Sequence, residues 1–291
     1  MNLWTRAIGA ALLAACAALP VAHANVLIGG TRVVLPAKDG EVTVRLSNDS
    51  ERPALVQAWI DRGDPKAAPD TVDTPFLVTP PMFRMEPKRD QSLRILYTKE
   101  PMPADRESLF WLNVLEIPPK PAEKDAANSN YLQFALRSRI KLFFRPQGLA
   151  GDPLKAPAQL VFRAAPGQLI VRNPTPYHIT LAKLAVVDAG QSFDAETGMV
   201  EPFGELRLRV PQLAKAAGAG AAISFSTIND YGAASAFDAS VSAWCITPAA
   251  TCRLTASFRA VRRSARRSRL RCWRAPRRMP PRPPRPMPSS T

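Results

Sequence analysis

Residues 130–146 read N-Y-L-Q-F-A-L-R-S-R-I-K-L-F-F-R-P, and their parity decides the fold. Leu132, Phe134, Leu136, Ile140, Leu142 and Phe144 share one face, with Ser138 the only polar member, while Gln133, Arg137, Arg139, Lys141 and Arg145 share the other. Period-two alternation sustained this long, with aromatic and β-branched content, predicts one extended strand that Pro146 ends. Typical strands run about 5–6 residues, so this one is exceptional. Its apolar face either fills the strand's own sandwich or is offered to another chain, and the rest of the sequence has to decide which.

Upstream, residues 25–145 read as strand after strand. Thr31 to Leu35, Val42 to Leu46, Leu55 to Ile60, Phe76 to Val78, Ser92 to Tyr97 and Phe110 to Ile117 are broken by Gly, Pro and Asn at short spacing. The turn Thr79-Pro80-Pro81 suits a cis peptide. No helical period is sustained, which points to an all-β sandwich of about seven strands. Trp59 and Trp111 fall in strand patterns that look like core. Downstream of a hinge-like piece, residues 147–157, shorter strands are expected at 159–162, 168–172, 179–187, 206–210 and 222–228, forming a second, smaller sandwich. The sequence therefore divides into 1–24, 25–146, 147–243 and 244–291.

The two ends differ from the body. Arg6, the apolar run from Ile8 to Leu19 and the small-residue site Ala22-His23-Ala24 read as a secretory signal, too short to span a bilayer. Leu13-Ala14-Ala15-Cys16 is a competing lipoprotein-type cleavage box, although the later site stands better before the first strand. From Trp244 to Thr291 there are thirteen Arg, eight Pro and no Lys, Asp or Glu. The formal charge of +15 comes mostly from this tail, and residues 25–243 carry only +1. Such a composition cannot bury enough apolar surface to order itself. It is either a basic arm for nucleic acid or anionic lipid, or an out-of-frame extension of a GC-rich gene. The abrupt change after Ala243 favours the second, so no nucleic-acid partner is expected. Cys245 and Cys252 in this tail are the candidate disulfide, and the body itself has no cysteine.

Histidine usage excludes several chemistries. Once the leader is removed only His178 remains, too few for a Ser-His-Asp triad or a multi-histidine metal site, and no Gly-rich phosphate loop is present. Paired carboxylates stay open on sequence, but nothing singles out a pair, and no catalytic residue, metal or cofactor is expected.

Four motifs in order are more specific. They are Met102-Pro103-Ala104-Asp105-Arg106-Glu107-Ser108-Leu109-Phe110-Trp111-Leu112-Asn113-Val114-Leu115-Glu116-Ile117-Pro118, then Ile140-Lys141-Leu142-Phe143-Phe144-Arg145-Pro146, Asn173-Pro174-Thr175-Pro176-Tyr177, and Ile228-Asn229-Asp230-Tyr231-Gly232. Together they resemble the periplasmic chaperones of the chaperone/usher pilus pathway, over residues 25–243.

This resemblance implies two immunoglobulin-like β-sandwich domains in an L-shape. It implies a periplasmic protein that caps pilus (fimbrial) subunits by lending them a strand, donor-strand complementation, and passes them to an outer-membrane usher. The alternative is a surface adhesin built on the same sandwich fold. A second copy of the chain, as a self-capping homodimer, is a further implied partner. The donor strand is then residues 131–144, with Leu132, Phe134, Leu136 and Ile140 as groove-filling side chains. Arg32 and Lys141 match the pair that holds a subunit's C-terminal carboxylate. Glu107, Arg145 and Asp230 match ion pairs linking the two domains. Lys141 has the opposite parity to Leu132, Phe134 and Leu136, and bringing it to their face requires a bulge or twist near Ser138. Arg137 and Arg139 are candidates to blunt an exposed edge. The short, cysteine-free loop 118–130 resembles the short-loop branch of the family, which serves rod-like pili.

Overall fold

A computed structural model of the chain describes residues 26–120, 133–188, 190–213, 215 and 217–242. The leader 1–24 with Cys16, Leu132, Cys245, Cys252 and the tail 244–291 lie outside the described residues. The described residues hold seventeen strands and one short 3-10 turn, Ala156–Gln159.

The first sandwich has two sheets. One is ordered β1 (Val26–Ile28), β3 (Glu41–Asn48), β7 (Asp90–Tyr97), β5 (Phe76–Thr79). The other is ordered β2 (Arg32–Pro36), β9 (Leu136–Arg145), β8 (Ser108–Ile117), β4 (Ala54–Asp61), β6 (Met82–Met85). All pairings are antiparallel except β2 with β9. Alternation along each strand sends one set of side chains inward. Val56, Ala58 and Ile60 of β4 meet Phe110, Leu112 and Val114 of β8 and Leu93 and Ile95 of β7 in a common core. Phe76 stands edge-on to Phe110 at 4.8 Å, and Tyr97 lies 4.5 Å from Phe144. The Thr79–Pro80 bond is cis.

The two tryptophans depart from expectation. Trp59 and Trp111 have the parity opposite to the core residues of β4 and β8, so both lie on the outer face of their sheet. Trp59 is buried there and Trp111 is half-buried. Arginines cover them: the guanidinium of Arg137 lies 5.3 Å from the Trp59 ring centre and that of Arg139 lies 4.2 Å from the Trp111 ring centre.

The second sandwich pairs a sheet β10 (Val161–Ala165), β11 (Gln168–Arg172), β15 (Glu205–Arg209) with a sheet β13 (Gln191–Asp194), β12 (Ile179–Asp188), β16 (Ala222–Ile228), β17 (Ala234–Ser240). β14 (Gly198–Val200) also pairs with β12. Phe162, Leu169, Val171, Leu181, Val186 and Ile223 fill this core, with Phe162 and Phe225 5.0 Å apart. The register of β12 on β16 shifts between Leu181 and Lys183, a bulge in the strand that faces the first sandwich.

Candidate functional site

The long strand changes character along its length. Residues 141–144 are held on both sides, by β2 and by β8, and Arg145 by β2. Residues 136–140 are paired with β8 alone, so among the described residues their other side is a free edge. An unpaired edge offers a row of backbone donors and acceptors to another strand. The apolar side chains nearest that edge are uncovered: Phe134 is 72% exposed and Leu136 is 51% exposed. Ile140 is half-buried and packs against the first core, whereas Leu142 and Phe144 are fully inside it.

The register of β9 on β8 runs without interruption from Ser108 opposite Phe144 to Glu116 opposite Leu136. No bulge lies near Ser138. Lys141 therefore stays on the face opposite Leu136 and Ile140, and the apolar edge and the cation occupy different faces of one regular strand.

At the foot of the free edge two cations meet. Arg32 and Lys141 are level with each other in the parallel pair β2–β9. Arg32 Nη1 donates to the Ile228 carbonyl at 2.9 Å, and Lys141 Nζ donates to Thr180 Oγ1 at 3.1 Å, both on the second sandwich. Arg32 Nε is buried and has no partner. Neither cation forms a salt bridge among the described residues. Burial pushes the Lys141 ammonium below its ordinary value, and the Arg32 charge beside it pushes further the same way. Burial also lowers Arg32, against a smaller opposing pull from Asp230. Two half-buried positive charges side by side, the ammonium depressed further by the guanidinium, call for an anion. A guanidinium fork beside an ammonium suits a carboxylate.

A second cation a few residues on is fully compensated. Arg145 Nε donates to Glu107 Oε1 at 2.7 Å, and its two terminal nitrogens donate to the Asp230 carboxylate at 2.7 and 3.0 Å. Burial works against the Arg145 charge, but Asp230 and Glu107 outweigh it and hold the guanidinium protonated more firmly than usual. Glu107 and Arg145 belong to the first sandwich and Asp230 to the second, so the Arg145–Asp230 pair crosses between them while the Arg145–Glu107 pair stays within the first.

Local sequence builds this junction. Buried Asn173 donates to the Tyr177 and Glu201 carbonyls and accepts from Thr175, fixing the turn. That turn presents the Pro176 carbonyl to the Glu107 amide at 2.9 Å, and the His178 amide donates to Glu107 Oε2 at 2.8 Å. Phe143 packs on the His178 ring at 5.5 Å. In the β16–β17 turn, Asn229 Oδ1 accepts from the amides of Tyr231 and Ala233, which holds Asp230 toward Arg145. Gly232 there has φ +83°, and a Cβ on it would come within 2.6 Å of Thr31 Oγ1, so the approach of the turn to β2 needs glycine.

Motif matching brought together Arg32 with Lys141, and Arg145 with Glu107 and Asp230. It did not bring in Thr180, His178 or Asp61, and Arg139 entered only as a candidate to blunt the edge. The first two come directly after the Asn173 turn, and their position just past it was the available signal. Among the described residues no group of acidic, histidine or cysteine side chains is arranged to hold a metal ion, and no helix is long and apolar enough to cross a membrane.

Residues 25–150 match the family model described as pili and flagellar-assembly chaperone, PapD N-terminal domain, and residues 155–239 match that of pili assembly chaperone PapD, C-terminal domain. The chaperone protein FimB/FhaD of Bordetella pertussis is 43% identical over 246 residues, which cover 82% of this chain and 97% of that protein. The crystal structure of the YadV chaperone superposes with a TM-score of 0.65 at 38% identity, over 75% of this chain and 100% of that one. A structure of the Salmonella enterica SafA pilin in complex with the SafB chaperone matches with a TM-score of 0.63 at 30% identity, over 76% of this chain and 99% of the matched one. With both domain models matched in order and these relatives aligned over most of its length, the chain belongs to the family of pilus-assembly chaperones.

Proposed function

We propose that this chain is a periplasmic chaperone that captures pilus subunits by lending them the free edge of β9. The subunit pairs with residues 136–140, and Phe134 and Leu136 enter its open groove, joined by Leu132 and, at the inner end, by Ile140. Arg32 and Lys141 take the subunit's C-terminal carboxylate. Glu107, Arg145 and Asp230 hold the two sandwiches so that the anchor and the edge share one register. The chain acts by binding and not by catalysis, and passes its cargo to an outer-membrane usher. Residues 1–24 serve as the export signal, and residues 244–291 take no part.

The observation that carries this is the pair of half-buried cations that, among the described residues, have no counter-ion and stand at the foot of an unpaired, apolar strand edge. Anchoring at that point fixes the register of the added strand, because a slip of one residue would turn every side chain to the wrong face. Lys141 and the apolar side chains occupy opposite faces, so carboxylate and groove contacts do not compete for the same space.

The test is recovery of a co-expressed pilus subunit with Arg32→Ala or Lys141→Ala chaperone, together with a thermal melt. Capture is expected to be lost while the melt is kept. A collapsed melt means the residue is structural, and the anchor assignment fails. Deleting residues 244–291 is expected to leave capture intact.

A further inference from the structure

The sheet that contains β9 sets four side chains in one row across four strands. Asp61 on β4 is opposite Trp111 on β8, Trp111 is opposite Lys141 on β9, and Lys141 is level with Arg32 on β2. The neighbouring row holds Trp59, Asn113 and Arg139. Lys141 therefore has an acid in its own row, two strand spacings or about 10 Å away. That acid is Asp61, whose side chain is 1% exposed, and it is taken by another partner.

Arg139 reaches it diagonally. Its Nη2 donates to Asp61 Oδ1 at 2.6 Å and its Nε to Oδ2 at 3.1 Å. Asn113 Nδ2 adds a bond to Oδ2 at 2.7 Å and the Gly63 amide one to Oδ1 at 2.6 Å. Burial alone would raise the Asp61 carboxyl. The bonds from Arg139, then Asn113 and Gly63, outweigh it and hold the group below the usual carboxylate range. The same Arg139 lies on Trp111, and Lys141 Nζ lies 5.8 Å from that ring's centre.

We infer that Arg139 and Trp111 are positioning residues for the carboxylate anchor. Arg139 occupies the only acid in the row, and Trp111 stands between that acid and Lys141 and carries the ammonium on its π face, so Lys141 is kept free for the incoming carboxylate. The inference rests on Lys141 being the anchor, as proposed above. Its physical basis is that a lysine on a flexible four-carbon stem turns toward whichever anion is uncompensated, and a buried carboxylate without its arginine is a strong one. A cation held at this distance over an indole is attracted by the ring's negative face. The fork geometry of Arg139 satisfies both oxygens of Asp61 at once, which a single ammonium cannot do.

The test tracks the titration of the Lys141 side chain by NMR in the full chain, alongside recovery of a co-expressed pilus subunit. Arg139→Gln is expected to move the Lys141 titration upward by roughly half to one pH unit and to weaken capture. Asp61→Asn combined with Arg139→Gln is expected to return both to the parent values. A Lys141 titration or a capture level unmoved by Arg139→Gln, or a double variant no better than the single one, overturns the inference. Should Arg139→Gln fail to fold, Trp111 decides. Trp111→Leu is expected to lose most capture at an unchanged melt and Trp111→Phe to keep it, and equal capture by the two overturns the inference. If Lys141→Ala captures normally, the anchor itself is wrong. That failure is separate, because the Lys141 titration in Arg139→Gln reports the charge arrangement without any subunit.

Discussion

Two groups of basic side chains lie close together at the junction of the sandwiches, and they are built in opposite ways. Arg145 meets two carboxylates, one from each sandwich, with every bond at 2.7–3.0 Å. Among the described residues, Arg32 and Lys141 meet each other, a carbonyl and a hydroxyl, and form no ion pair with an acid. A buried pair that is complete mainly fixes geometry, whereas a buried charge left incomplete costs stability until something arrives to complete it. Under the proposed function, the contrast separates the part of the junction that serves the chaperone's own structure from the part held ready for a partner.

The largest expected effect is on the completed group. Arg145→Met leaves Glu107, with its side chain 2% exposed, uncompensated, and is expected to destabilise the free protein by about 3–5 kcal/mol in denaturant unfolding. An unchanged unfolding midpoint would erase the distinction between the two groups. The incomplete group should respond the other way. Lys141→Met is expected to weaken subunit binding by about 2–5 kcal/mol, read by competition against parent chaperone. The same change removes a charge that burial disfavours, so the unfolding midpoint is expected to stay level or rise. Because the Lys141 ammonium is held below its ordinary value, capture is also expected to fall as pH rises through that lowered value, before an ordinary lysine near pH ~10.4 would lose its proton.

The apolar edge offers a sharper version of the same comparison. Phe134→Ser removes an exposed ring, so it is expected to spare the melt and to cost about 1.5–3 kcal/mol of subunit binding. Leu112→Ala, in the first core, is expected to cost the free protein about 2–5 kcal/mol instead. If Phe134→Ser behaves like Leu112→Ala, that ring belongs to the chaperone's own core. The smallest effect concerns acid. Asp61 has a lowered value in the folded state, so its contribution is full above the unfolded value near pH ~3.9 and is lost as pH falls through the folded one. Replacing Asp61 with Asn and Arg139 with Gln together should flatten the stability profile in that window, and an unchanged slope would count against the pair.

Much of the first sandwich was legible because its strands bury one face, so alternation writes the core into the sequence. Val56, Ala58 and Ile60, or Phe110, Leu112 and Val114, announce themselves by parity. The same parity, followed strictly, sets Trp59 and Trp111 on the outer face, although they fall in strand patterns that look like core. In the second sandwich β17 left little trace, since Ala234–Ser240 is A-S-A-F-D-A-S and small side chains give almost no apolar contrast. β13 and β14 are four and three residues long, too short for a period to register. At the site, motif resemblance supplied Arg32, Lys141, Glu107, Arg145 and Asp230. It could not supply Asp61 with Arg139, which are 78 residues apart in sequence and meet only because three strands pair in one register. A bulge near Ser138 would be needed only if the anchor and the apolar edge shared a face, and the strand is regular there.

Strand donation is tested most directly by hydrogen exchange at the backbone amides of residues 136–140 that point away from β8, in the free chaperone and in its complex with a pilus subunit. Donation of this edge predicts rapid exchange in the free protein and slowing by several orders of magnitude in the complex, with residues 141–145 protected in both. Equal exchange in the two states, or amides already protected in the free monomer, would contradict it.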